Sequence, residues 1–161
     1  MMIILISVVI LTALDQYSKF IALTHLKPVG NIKVIDGWFD FTFVENRGAA
    51  FGILEGQRWF FVILTIAVTI CVIVYLRKMK EKDRAHNFLR LSLVLILAGA
   101  WGNAIDRLLR GYVVDYFEFT FINYPVFNVA DIYVVAGTIL LAVLLLLVIK
   151  DEPNLKGEGK R

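Results

Sequence analysis

Four long apolar runs constrain this chain more than any other feature of its sequence. They cover about residues 2–26, 59–76, 88–109 and 132–149. A run of roughly 20 apolar residues matches the hydrocarbon thickness of a bilayer. Hydrophobic residues make up 59% of the chain and charged residues 19%, whereas soluble domains usually carry about 25% charged residues. We therefore predict an all-α membrane protein with four transmembrane helices in a single domain, residues 1–161.

The first run could be mistaken for a cleaved signal peptide. It lacks a basic start and a small-residue cleavage site, and polar residues interrupt its second half. These features favour an uncleaved first helix.

Basic residues predict the orientation of the helices. The connection between the second and third runs holds Arg77, Lys78, Lys80, Lys82, Arg84 and Arg90, and the tail holds Lys150, Lys156, Lys160 and Arg161. Cytoplasmic segments are enriched in such residues, so we expect both termini in the cytoplasm and residues 27–57 and 110–131 on the extracytoplasmic side. The net charge of +3 comes from basic residues at the positions expected for a membrane protein. We therefore expect the membrane, and no nucleic acid, as a partner.

Two stretches of the outward segments alternate aromatic and polar residues. Residues 39–44 read Phe-Asp-Phe-Thr-Phe-Val, and residues 117–121 read Phe-Glu-Phe-Thr-Phe. A period of two is typical of strands with one apolar face. We predict a small extracytoplasmic β-sheet outside the hydrocarbon, where unpaired strand backbone would be too costly.

Ionisable residues at membrane depth need an explanation because each costs at least about 2.5 kcal/mol to insert. Asp15 and Lys19 lie four residues apart on one face of the first helix, where they can pair. A structural pair that anchors the helix is favoured over a catalytic role. Asp106 and Arg107 near the end of the third helix are either a pair at the helix end or part of a site, and Arg107 could hold a phosphate or a carboxylate.

Asp115 and Asp131 lie where the outward segments meet the third and fourth helices. Asp131 could be an ordinary helix N-cap. Alternatively, a returning connection could bring both carboxyl groups side by side. Two such groups share one proton, so that one activates water while the other polarises a peptide carbonyl, without a cofactor. The sequence leaves both alternatives open for Asp131.

Other hydrolytic or metal-binding motifs are missing from the sequence. It has no HExxH, no GxSxG and no phosphate-binding loop. Cys71 is the only cysteine, and His25 and His86 have no partner at ligand spacing. We expect no metal site.

Five sequence blocks resemble lipoprotein signal peptidase, also called signal peptidase II. The blocks are Asp15 with Lys19, Asn46-Arg47-Gly48-Ala49-Ala50-Phe51, Gly99-Ala100-Trp101-Gly102-Asn103 with Asp106-Arg107, Val113-Val114-Asp115, and Phe127-Asn128-Val129-Ala130-Asp131. The resemblance covers nearly the whole chain, and five blocks in this order are far more specific than any one of them.

The resemblance implies an aspartic endopeptidase of the bacterial inner membrane with its active site near the outer face. Such an enzyme removes the signal peptide of diacylglyceryl-modified prolipoproteins, cutting before the lipidated cysteine. Membrane lipids and globomycin-type inhibitors are further expected partners. Asp115 and Asp131 would form the catalytic dyad. Positions that would line or support the site are Asn46, Gly48, Asn103, Arg107, Asn128, Ala130, Asp15 and Lys19.

Two other functions explain part of the pattern. A small transporter or proton-conducting protein could use the intramembrane charges as a relay. It is disfavoured because the charges cluster near the outer face and no inverted repeat is visible. A non-catalytic scaffold would leave the two interface aspartates without a role.

Overall fold

The computed structural model describes residues 1–49, 53–81 and 83–148. Three parts of the sequence predictions lie outside these residues. They are Ala50 and Phe51 of the Asn46 block, Lys82 of the basic connection, and the end of the fourth apolar run with the basic tail.

Four long helices form the body of the described chain. Helix α1 spans Met2–Ile21 and continues as a π-helical turn, Ala22–Leu26. Helices α2 and α3 span Arg58–Lys78 and Arg84–Leu109, and α4 spans Val129–Val143 before a π-helical turn, Leu144–Val148. All four are long and apolar enough to cross a membrane. The predicted fold class is confirmed.

Two helices begin earlier than the apolar runs indicated. Helix α3 starts at Arg84 because Asp83 caps it by accepting a hydrogen bond from the His86 amide at 2.9 Å. Helix α4 starts at Val129 because Asn128 is its N-cap. Asp131 is therefore not the N-cap; it occupies the third position of the helix, where its side chain completes a capping box with Asn128.

A three-stranded antiparallel sheet lies between the helices in sequence. Its strands are β1 (Asn31–Ile35), β2 (Phe39–Asn46) and β3 (Val113–Phe119), in that spatial order. The first alternating aromatic segment, residues 39–44, lies within β2 as predicted; of the second, residues 117–119 lie in β3 and residues 120–121 follow its end. Strand β1 was not predicted. Strand β3 also begins earlier than expected, so that Asp115 lies within a strand and pairs in register with Val44.

Helix α3 is the centre of the bundle. Apolar side chains join it to α2, where Val72 and Leu76 contact Leu93 and Leu97. The Trp101 indole nitrogen also donates to the Thr69 hydroxyl oxygen of α2 at 3.1 Å. Since the most polar helix is the one most enclosed by the others, its ionisable side chains are kept away from lipid.

Helices α3 and α4 approach each other closely at Gly99. A methyl group added there would lie 2.2 Å from the carbonyl oxygen of Ala130 and 2.7 Å from a methyl carbon of Val134. Small residues permit such backbone contact between membrane helices. Gly99 thus fixes the distance from α3 to the first turn of α4, which carries Asp131.

Candidate active site

Asp115 and Asp131 come together from different elements. Strand β3 carries Asp115 and the first turn of α4 carries Asp131, and both line one cavity of about 410 Å³. Asn46, Asn103 and Arg107 line the same cavity. The convergence that the sequence left open is therefore present.

Both carboxylate oxygens of Asp115 accept hydrogen bonds from asparagine side chains. Asn46 Nδ2, at the end of β2, donates to Oδ2 at 2.8 Å, and Asn128 Nδ2 donates to Oδ1 at 2.6 Å. Asp115 is 1% exposed. A buried carboxylate needs such partners, and here they come from two separate elements that fix its position.

Both carboxylate oxygens of Asp131 are held in the same way. Asn103 Nδ2, on α3, donates to Oδ1 at 2.7 Å, and the Asn128 backbone amide donates to Oδ2 at 3.1 Å. The Asp131 backbone amide in turn donates to Asn128 Oδ1 at 3.0 Å. Asn128 therefore contacts both aspartates: its side-chain nitrogen bonds to Asp115, and its backbone amide and side-chain oxygen bond to Asp131.

Lys19 sets the orientation of the Asn103 amide. Its ammonium nitrogen donates to Asn103 Oδ1 at 2.9 Å, and Asn128 Nδ2 donates to the same oxygen at 3.1 Å. An ammonium group can only donate, so the oxygen of Asn103 turns toward Lys19. The amide nitrogen is then directed at Asp131.

Burial and the neighbouring charge of Asp131 raise the pKa of Asp115 from its ordinary value of 3.8 to about 7. Removal from water disfavours the ionised form, and a second carboxylate nearby disfavours it further. The pair therefore retains a proton near neutral pH. One protonated and one ionised carboxyl group are what general acid and base catalysis on a peptide bond requires.

The favoured structural interpretation of Asp15 and Lys19 agrees with the contacts. Lys19 is fully buried and pairs with Asp15 at 3.0 Å and with Asp106 at 3.2 Å. Asp15 also accepts from the Ala130 backbone amide at 2.9 Å. This cluster ties α1 to α3 and to the first turn of α4, directly beneath the network around the two aspartates.

Asp106 and Arg107 do not pair with each other as a helix-end pair would. Asp106 binds Lys19 and Arg110 and accepts from the Val114 amide at 3.0 Å. Arg107 points to the opposite side, where it donates to the Gly48 carbonyl oxygen at 2.7 Å. Two of the partners of Asp106, Lys19 and Val114, lie on other elements, so the sequence did not reveal them.

Arg107 holds one wall of the cavity. Its guanidinium carbon lies 4.3 Å from the centre of the Phe61 ring, and its hydrogen bond to Gly48 fastens the segment after β2 to α3. The Gly48 amide donates to Asn46 Oδ1 at 2.9 Å, which leaves the nitrogen of that side chain for Asp115. Gly48 and Arg107 thus position Asn46 indirectly.

The sequence did not predict two supporting contacts. The Gln16 amide nitrogen donates to the Gly102 carbonyl oxygen at 2.9 Å, and the Tyr116 hydroxyl donates to Ser18 Oγ at 2.6 Å. Both contacts join α1 to its neighbours. The available signal was the polar break in the first apolar run, since polar residues at membrane depth face the protein interior.

No group of three His, Cys, Asp or Glu side chains suited to a metal ion occurs in residues 1–49, 53–81 and 83–148. Two neighbouring carboxyl groups face a cavity with polar and apolar walls. Each of their oxygens accepts a hydrogen bond from one N–H donor. Such a site can direct a water molecule at a carbonyl carbon.

Comparisons with known proteins identify relatives of this chain. Residues 7–147 match the family described as signal peptidase (SPase) II. The chain is 45% identical to a lipoprotein signal peptidase of Clostridioides difficile (strain 630), over 86% of this chain and 91% of that protein. A lipoprotein signal peptidase of Caldanaerobacter subterraneus is 44% identical over 83% of this chain and 88% of that protein.

The fold also resembles solved structures. One, described as a bacterial membrane enzyme structure by the in meso method at 2.3 Å resolution, is 33% identical with a TM-score of 0.83 and covers 100% of this chain and 96% of that one. Another, at 1.9 Å resolution, has a TM-score of 0.79 at 33% identity, over 92% of this chain and 95% of that one.

Proposed function

The chain belongs to the signal peptidase II family, and from this premise we propose that Asp115 and Asp131 are the catalytic dyad of an aspartic endopeptidase. The protein is a multi-pass bacterial membrane protease. It removes signal peptides from prolipoproteins. As in its family, the cut lies before the modified cysteine.

The proposed reaction uses one ionised and one protonated carboxyl group. The ionised group takes a proton from water as the water oxygen bonds to the scissile carbonyl carbon, and the protonated group donates to the carbonyl oxygen. The tetrahedral intermediate then collapses. Its C–N bond breaks as the nitrogen accepts the proton taken from water, while a hydroxyl group of the intermediate returns its proton to the other carboxylate. This releases the amine of the cysteine and the carboxylic acid of the signal peptide, and it restores one ionised and one protonated aspartate.

One observation carries the proposal. Each of the four carboxylate oxygens of Asp115 and Asp131 accepts one N–H donor, and Asn128 links both residues. Held in this way, the two groups need little rearrangement when charge develops in the transition state. A structural role alone would not require a buried carboxylate, Asp115, and a half-buried one, Asp131, to face one cavity.

The orientation of the site is part of the proposal. The basic residues where α2 ends and α3 begins, which include Arg77, Lys78 and Arg84, support a cytoplasmic position for that end of the bundle. The dyad lies at the opposite end of α3, near Arg107. We place the active site near the outer face of the membrane and both termini in the cytoplasm.

The proposed partners follow from the substrate. A prolipoprotein with a lipidated cysteine brings its acyl chains from the bilayer, so membrane lipids surround the site. Globomycin-type cyclic peptides would inhibit by occupying the cavity between the dyad and Arg107.

The proposal is tested with purified protein and a lipidated prolipoprotein in detergent. Asp115→Asn and Asp131→Asn should each abolish cleavage and keep the thermal stability of the parent protein. Asp36→Asn is the matched control, because Asp36 is exposed and pairs with Lys33 at the surface; it should cleave normally. Full turnover by either dyad variant, or Asp-dependent proton flux in vesicles without proteolysis, would contradict the proposal.

A further inference from the structure

Three spaces meet at the two aspartates. The cavity described above contains both, and its deeper wall is apolar, with Phe61, Leu64 and Val134. A second space of about 310 Å³ touches Asp115 and is lined by charged residues, among them Glu45, Arg47 and Glu55. A third, of about 490 Å³, touches Asp131 and is otherwise apolar or aromatic.

The third space is a groove beside α4. One wall consists of Ile132, Val135, Ala136 and Ile139 on α4, and the other contains Phe119 and Phe127. The two phenylalanine rings pack with their centroids 5.3 Å apart. We call this space the α4 groove. Its helical wall lies within the fourth membrane span, Val129–Leu146, so the groove runs from the dyad toward the hydrocarbon.

The substrate also has three arms that meet at one point. The signal peptide lies on the carbonyl side of the scissile bond, the mature chain continues from the cysteine, and the glyceryl group hangs on the cysteine sulfur, a few covalent bonds from the scissile nitrogen. When the dyad holds the scissile bond, each arm must therefore leave through a space that begins beside an aspartate.

Polarity assigns one space to each arm. The scissile backbone and signal peptide need both hydrogen-bonding and apolar walls, which the cavity provides. The mature chain has backbone hydrogen-bonding groups along its length and fits the charged space near Arg47. Acyl chains have no groups to hydrogen-bond, and the α4 groove is the space whose lining is almost entirely apolar. Burying a polar chain there would leave its backbone groups unpaired at a cost.

We propose that the α4 groove binds the acyl chains of the lipidated cysteine and that Ala136 sets the room available to them. This inference rests on the proposed function and extends it to substrate selection. The volume of the groove lies in the range of sites that enclose small ligands, roughly 300–1,000 Å³. Ala136 is the smallest side chain along its helical wall, so a larger residue there would narrow the groove without touching either aspartate.

The test compares two substrates with the same peptide, one dipalmitoyl and one dibutyryl. Ala136→Phe should raise KM for the dipalmitoyl substrate about tenfold and raise KM for the dibutyryl substrate by a much smaller factor, with kcat for both substrates retained. Ala142→Phe is the matched control, since Ala142 is also exposed on α4 but lines none of the three spaces; it should change neither. The normal turnover of the short-chain substrate also shows that the variant is folded.

A binding measurement makes the outcome independent of catalysis. A photoreactive diazirine near the end of the acyl chain should cross-link to Ile139 or Phe119, as read by mass spectrometry. Equal effects of Ala136→Phe on both substrates, no effect on either, or cross-links confined to other helices would overturn the α4 groove as the acyl site. If cross-links form in the groove while wild-type protein does not cleave, the proposed function fails and the lipid site stands.

Discussion

A single methyl group added at Gly99 should separate the two aspartates. The new carbon would lie 2.2 Å from the Ala130 carbonyl oxygen, so α4 must move by about 1 Å to reach ordinary van der Waals contact. Ala130 immediately precedes Asp131, and Asp115 lies on β3, which does not have to follow. A misplacement of this size costs about 100-fold in rate when the reacting groups need close alignment.

Gly137→Ala is the matched control. It introduces the same methyl group in the same helix interface, 2.8 Å from the Ser92 carbonyl oxygen and two turns further along α4 from the aspartates. Both variants should lose about 1–3 kcal/mol of stability by overpacking. Only Gly99→Ala should lose kcat strongly.

The assay measures kcat on saturating lipidated substrate together with thermal unfolding in detergent. We expect a large fall in kcat for Gly99→Ala at a stability close to that of Gly137→Ala. Wild-type kcat in Gly99→Ala, or equal losses of kcat in both variants, would refute the link between helix spacing and the dyad.

Three further predictions follow from the same network. Lys19→Met removes the cation that pairs with Asp15 and leaves Asp106 with Arg110 as its remaining cationic partner, so chemical unfolding in detergent should show a loss of about 3–5 kcal/mol; unchanged stability would contradict this. Arg107→Lys keeps the charge but loses the planar group that reaches Gly48, and kcat/KM should fall about tenfold or more because a hydrogen bond from a charged donor is worth about 1.5 kcal/mol or more. Because burial raises the pKa of Asp115 from 3.8 to about 7, kcat should decline above about pH 7. Protonation of Asp115 contributes its full share of the free energy of unfolding below pH 3.8, and this contribution is lost as the pH rises through about 7. A kcat that still increases above about pH 7 would exclude the assignment.

The sequence predicted the helices and two strands because their patterns are local. Apolar runs of membrane length and the aromatic alternation of β2 and β3 can each be read within one segment. Strand β1 has the same kind of signal, since Ile32 and Val34 alternate with Asn31 and Lys33 ahead of a turn at Gly37. It is short and fully exposed, so its pattern is weak.

Contacts between segments could not be derived in the same way. Spacing suggested Asp106 as a partner of its neighbour Arg107, whereas Lys19 lies far away in sequence and reaches Asp106 only through the packing of α1 against α3. The start of α4 was misplaced because Asp131 looked like a cap, although Asn128, three residues earlier, has the spacing of a capping box. The convergence of Asp115 and Asp131 likewise depends on how β3 returns beside α4.

The most direct test of the dyad is a double-mutant cycle on kcat with Asp115→Asn, Asp131→Asn and both together. If the two carboxyl groups act as one unit, either single change should remove the activity, and the double variant should be no worse than the singles. Independent, additive losses, or a single variant that keeps most of its activity, would contradict a shared catalytic role.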